Sequence, residues 1–183
     1  NLAGLLQDMG RFEEAEPLYR QALETTKEAL GEGHPAYATR LNNLGDLLRA
    51  MGRFEEVEPL YRQALEIAKA TLGEGHPDYA THLSNLAGLL QDMGRFEEAE
   101  PLYAQALEID KATIGEGHPS YATRLNNLAG LLQDLGWFEE AAPLYDEAIA
   151  IFQEQLGPDH PNTKTTIQNR EIFHTKWAAA RGE

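Results

Sequence analysis

The chain repeats itself. Displaced by 42 residues, the sequence falls on itself: Asn1, Asn43, Asn85, Asn127 and Asn169 coincide, as do Gly10, Gly52, Gly94 and Gly136, and Phe12, Phe54, Phe96 and Phe138. Residues 1–42 and 85–126 differ at only seven positions: 20, 25, 26, 28, 29, 30 and 36 against their partners. A unit of this size does not usually bury its apolar face alone, so near-identical copies imply an array in which each copy covers its neighbours.

The second copy shows what the unit is. From Tyr37 to Met51 the apolar residues Tyr37, Leu41, Leu44, Leu47, Leu48 and Met51 recur three or four apart, the spacing of an amphipathic helix and not of a strand. Pro35 stands just before this helix A, where a missing N–H is harmless, and Gly52 follows it as a left-handed stop. A helix B follows from about Phe54 to Leu72, with Phe54, Val57, Leu60, Tyr61, Ala64, Leu65 and Ile67 mostly on one side. Gly73 ends it, and the string GEGHP leads into the next helix A. Pro17, Pro59, Pro101 and Pro143 fall inside helix B, where each deletes one backbone bond. The apolar spacing stays in phase on both sides, so helix B is expected to continue with a slight bend.

The pattern predicts helices near 2–9, 11–30, 36–51, 53–72, 78–93, 95–114, 120–135, 137–156 and 161–179, with no strand. Leu44, Leu48, Tyr61, Leu65, Leu86, Leu90, Tyr103 and Leu107 are the expected core. Five segments result: a first repeat at 1–35 with a truncated helix A, repeats at 36–77, 78–119 and 120–160, and a capping helix and tail at 161–183. Because Asn1 lies partway along a helix A, a longer parent chain is expected.

A 42-residue period also suits HEAT, armadillo or propeller units. The propeller fails for want of a two-residue period or a Trp-Asp signature. Between the helical families, Leu44-Gly45, Leu48, Gly52, Phe54, Val57, Tyr61, Ala64 and Leu65 resemble the tetratricopeptide pattern of small and large residues, with Ala15, Ala99 and Ala141 closer to it than Val57. The strings NNLAGLL, GRFEEAEPLY, QALEI and LGEGHP look like the longer repeats of kinesin light chains and their bacterial and fungal relatives. The resemblance spans about residues 1–169 and implies an all-α fold, a right-handed α-α superhelix of tetratricopeptide type. It also implies that helix A lines a concave groove that receives a segment of another protein.

Composition narrows the function. Thirty acidic residues against 15 basic ones give a net charge of −15, a poor match for phosphate backbones or anionic membranes. Absence of cysteine removes disulfides, thiolate metal sites and thiol nucleophiles, and fits a reducing, cytoplasmic setting. His34, His76, His118 and His160 recur at every connector, but successive connectors stand at least a helix diameter apart, ~10 Å, whereas zinc needs nitrogens ~2 Å from one point. They read as shaping the start of helix A, so neither metal nor cofactor is expected. Repetition multiplies every Asp and Glu, whereas an active site needs one singular constellation, so no enzyme is expected. Glu55, Glu56 and their equivalents open helix B and Lys69 lies near its end, an arrangement that complements the helix dipole.

The face of helix A opposite its leucines is the candidate groove. It carries Thr39, Asn42, Asn43, Asp46 and Arg49 in the second unit, and Thr81, Ser84, Asn85, Gln91 and Asp92 in the third. The fourth presents Thr123, Asn126, Asn127, Gln133 and Asp134. The resemblance carries Asn43, Asn85 and Asn127 onto the family asparagine that holds the backbone of an extended peptide, a task suited to a group that both donates and accepts. The alternative is that they fasten neighbouring helices. The basic clamp that chaperone-binding relatives use for a terminal carboxylate is missing. With Asp8, Asp46, Asp92 and Asp134 on this face, a neutral to basic partner segment is expected. The competing function is structural, with open repeat ends stacking on one another. Arg40, His82 and Arg124 lie towards the leucine side, and the wheel assigns them no role.

Overall fold

The computed structural model describes residues 2–182, so Asn1 and Glu183, the outermost residues of the first and last segments, lie outside the described residues. Among the described residues there are nine helices and no strand: α1 (Leu2–Asp8), α2 (Phe12–Leu30), α3 (Pro35–Ala50), α4 (Phe54–Leu72), α5 (Pro77–Asp92), α6 (Phe96–Thr113), α7 (Pro119–Asp134), α8 (Phe138–Leu156) and α9 (Pro161–Arg181). Each expected helix is present, with ends within two residues of those predicted. The chain divides into two compact units, Asn1–Met93 and Gly94–Glu183.

The helix ends follow from the repeated punctuation. After α3, Gly52 adopts φ 74°, and the Arg53 N–H reaches back to the Leu48 carbonyl at 2.9 Å, closing a Schellman turn. After α4, Gly73 takes φ 85° and ψ 160°, a region open almost only to glycine. Each helix A then opens with His as its cap and Pro as its first residue. The His34, His76, His118 and His160 Nδ1 atoms accept from the backbone N–H two residues on, at 3.1–3.2 Å. The recurring histidine is therefore a helix cap, a job usually done by Ser, Asp or Asn. The helix-B prolines are accommodated within continuous helices.

In the first unit Tyr37, Ala38 and Leu41 of α3 close on Ala64 of α4, with Leu23, Leu60 and Ile67 around them. In the second, Tyr121, Ala122 and Leu125 of α7 pack with Ala148, Ile151 and Phe152 of α8. The buried stripe of α4 runs Val57, Tyr61, Ala64, Ala68. Leu65 lies one residue round from that stripe and is only half-buried, contrary to expectation, and Leu107 of α6 is half-buried for the same reason. The other six expected core residues are buried. Helix α9 caps the second unit: Phe173 is fully buried and stands 5.4 Å from the rings of both Tyr145 and Trp177.

Candidate peptide-binding groove

Among the described residues, most of the charge pairs are local to one repeat. Arg11, Arg53 and Arg95, each just before helix B, pair with Glu14, Glu56 and Glu98 at 2.7 Å, and Arg53 also reaches Glu16 of α2. Lys27, Lys69 and Lys111 pair with the connector residues Glu32, Glu74 and Glu116. Much of the acidity is thus locally compensated, at roughly 0–1 kcal/mol per exposed pair.

Within the first unit, an open pocket of about 290 Å³ lies between α3, α4 and α5. Thr39, Asn42, Asn43 and Asp46 line it from α3, and Thr81 and Asn85 from α5, so six of the expected groove residues share one cavity. Asn43 and Asn85 are half-buried. Their side-chain amides, like that of Asn127, make no hydrogen bond to the described residues of the protein. Thr39, Thr81 and Thr123 donate their hydroxyls to the carbonyls of Pro35, Pro77 and Pro119 one turn back.

Other groove candidates are turned inward or already paired. Asn42 is only 7% exposed, and its Nδ2 donates to Nδ1 of His82, which is also buried. Burial holds the His82 imidazole below its ordinary pKa, and the approach of an amide N–H requires its Nδ1 to be unprotonated. Ser84 is buried as well, not offered to the groove as the wheel suggested, because α3 and α5 approach along that edge. Arg49 donates to Asp92 and to the Gly88 carbonyl. Asp46 accepts from the Tyr61 hydroxyl, and loss of solvation raises its carboxyl above its ordinary pKa, opposed by Tyr61 and Arg49. In the second unit, Asp134 pairs with Lys176 at 3.4 Å and the Asn126 Oδ1 accepts from Asn169 at 3.1 Å. Gln91 is half-buried; so is Gln133, whose Oε1 has no donor among the described residues.

A second cavity of about 140 Å³ in the second unit is lined by Thr123, Asn126, Phe152, Asn162, Thr165 and Thr166. Subtracting 84 from each number gives Thr39, Asn42, Ala68, Asp78, Thr81 and His82, all of which line the first pocket. The two cavities are therefore one site repeated two units apart. Phe152 in place of Ala68 accounts for the smaller volume.

The same register explains residues the wheel left without a role. The position occupied by Ala68 and His82 holds Asp110 and Arg124 at the α6–α7 step, where they form a buried ion pair at 3.0 Å. At the α2–α3 step it holds Thr26 and Arg40, and the buried Nε of Arg40 has no acceptor among the described residues. The signal was present in the sequence: Thr26, Ala68, Asp110 and Phe152 differ at one position of an otherwise near-identical repeat.

The tetratricopeptide-repeat family model matches residues 1–70, 41–112 and 78–141, and a second model of the same description matches 122–162. The chain belongs to the tetratricopeptide-repeat family. Among solved structures it is similar to BtubC (BKLC) from P. vanneervenii, with 29% identity over 97% of this chain and 73% of that one, at a TM-score of 0.75. It is also similar in fold to a kinesin-light-chain candidate with nearly identical TPR-like repeats from Podosopora anserina. That match has 25% identity, covers 100% of this chain and 94% of that one, and has a TM-score of 0.73. No curated protein matches. Tetratricopeptide repeats generally serve as non-catalytic scaffolds for proteins or peptides. Among the described residues no helix is long and apolar enough to cross a membrane.

Proposed function

We propose that this chain is a non-catalytic cytoplasmic scaffold whose helix-A face receives an extended segment of a partner protein, neutral to basic in charge, and neither nucleic acid nor membrane. The observation that carries this reading is the pair Asn43 and Asn85. Both line one open pocket, and both amides lack a partner among the described residues. Asn127 takes the same repeat position in the second unit, whose own cavity is lined by its neighbour Asn126. An amide left free at a solvated face costs the fold nothing and offers a donor and an acceptor to a peptide backbone.

The test is selection of a displayed random-peptide library on the wild-type chain, followed by titration of enriched peptides. Asn85→Ala with Asn127→Ala should weaken them by about 1–3 kcal/mol by unpairing backbone groups, with little change in melting temperature. If the pair unfolds the protein as readily as Leu86→Ala, the asparagines are internal fasteners and the reading is wrong.

End-to-end self-assembly through open repeat ends is the second reading. Light scattering at several concentrations, with no peptide present, should then show mass rising with concentration; constant mass excludes this reading.

A further inference from the structure

We propose that the α3–α4–α5 pocket is a subsite for one basic side chain of arginine type, carried by the segment that lies along the groove; this rests on the groove reading above. The Asn42 Oδ1 atom is buried and has no donor among the described residues, in a side chain that lines the pocket. An acceptor held without a donor calls for one. Asp46 and Asp78 line the same pocket from α3 and α5, and no Lys or Arg is among its lining residues. Arg49, whose charge also acts on Asp46, does not line the pocket and donates to Asp92 and the Gly88 carbonyl. His82 offers no opposing charge, because its Nδ1 faces the Asn42 amide N–H. A guanidinium brings five donors in one plane and no acceptor, which suits a pocket lined by two carboxylates and by a side chain with an orphaned carbonyl oxygen.

The second unit supplies the contrast. In its version of the pocket, Asn162 replaces Asp78 and all six lining residues are uncharged, while Gly130 stands where Asp46 does. Arginine preference therefore belongs to the pocket of the first unit and not to its repeat.

The experiment is an NMR titration of the full chain, following the side-chain amide signals of Asn42, Asn43, Asn85 and Asn126. The probes are the acetylated, amidated peptide Gly-Ser-Arg-Ser-Gly and the same peptide with neutral, isosteric citrulline. The arginine peptide should shift the Asn42, Asn43 and Asn85 signals saturably, about tenfold more tightly than citrulline, through charge-assisted bonds. Asp46→Asn and Asp78→Asn should each weaken it about fivefold. An amide oxygen in place of the Asp46 carboxylate would still accept from Tyr61, which preserves the fold, and Asp78 is exposed. Equal binding of both peptides at these asparagines overturns the arginine subsite and leaves the groove reading standing. An Asn126 response with the same arginine preference also overturns it. If neither peptide moves any asparagine signal, the groove reading fails with it.

Discussion

The second repeat carries Gly45-Asp46 where the others read Ala3-Gly4, Ala87-Gly88 and Ala129-Gly130. A Cβ added to Gly45 would stand 2.4 Å from Tyr61 Cε1 and 2.9 Å from its Cδ1, a separation that real contacts never show. Tyr61 has no room to yield: it is fully buried, and its hydroxyl is fastened to Asp46. Overpacking of this kind costs ~1–3 kcal/mol, whereas replacing a mid-helix glycine by alanine returns ~0.8–1 kcal/mol. Gly45→Ala should therefore destabilise by about 1 kcal/mol, against the usual sign. Asp46→Gly alone should cost a similar amount, through the lost hydrogen bond and the helix glycine. Together they rebuild the Ala-Gly pair, beside which Tyr145 packs on Ala129 in the second unit. With its hydroxyl released, Tyr61 is free to shift, and the double variant should be at least about 1 kcal/mol better than the sum of the singles. Equilibrium urea unfolding followed by far-ultraviolet circular dichroism reads all four chains. A Gly45→Ala chain as stable as the wild type, or strictly additive singles, would refute the reasoning.

Asp110→Ala should cost ~3–5 kcal/mol by removing the carboxylate that faces the buried Arg124, and adding Arg124→His, which recreates the Ala68–His82 pair, should recover most of it in the same unfolding assay. His82 has its folded pKa below its ordinary 6.5, so its contribution to stability is present above about pH 6.5 and is lost as pH falls through the lower folded value. The melting temperature should thus begin to decline as pH falls below about 6.5, before the paired Glu16 and Glu56, held below 4.5, protonate. His82→Gln should flatten that decline, and an unchanged slope would remove His82 as its cause. Leu86→Ala should lose ~2–5 kcal/mol through its cavity, while Glu98→Ala, at an exposed pair with Arg95, should stay within about ±0.5 kcal/mol.

The helices were legible because each is written redundantly: apolar spacing, a proline at the start, a glycine at the end, and four or five copies to compare. The core was legible wherever a residue lies at the centre of a stripe, as Leu44 and Leu86 do, and failed at Leu65 and Leu107, where one residue's rotation decides burial. The groove was legible only in part. A helical wheel gives the direction of a side chain from its own axis and nothing of what the next helix brings. Hence Asn42 and Ser84 were placed in the open, and the pairing of Asp92 with Arg49 was missed.

Those pairings nevertheless have an arithmetic. Arg49 meets Asp92 and Asn126 meets Asn169 at a separation of 43, Asp134 meets Lys176 at 42, and Asn42 meets His82 at 40. Within each compact unit, successive A helices therefore touch through residues about one repeat apart. Near-identical repeats would make every such contact the same, and the exceptions show where this chain departs from its own rule. At one position the pairs are Thr26 with Arg40, Ala68 with His82, Asp110 with Arg124 and Phe152 with Thr166. A charged pair occupies that position at one step, a phenylalanine narrows the cavity at another, and alanine leaves it wider. The small residue at 68, set among Asp46, Asp78 and the orphaned Asn42 oxygen, is what distinguishes one step of a repetitive face from its copies. Ala68→Phe should therefore close the first-unit pocket towards the volume of its counterpart and abolish the arginine preference. If the preference survives a filled pocket, the basic side chain is held elsewhere on the groove.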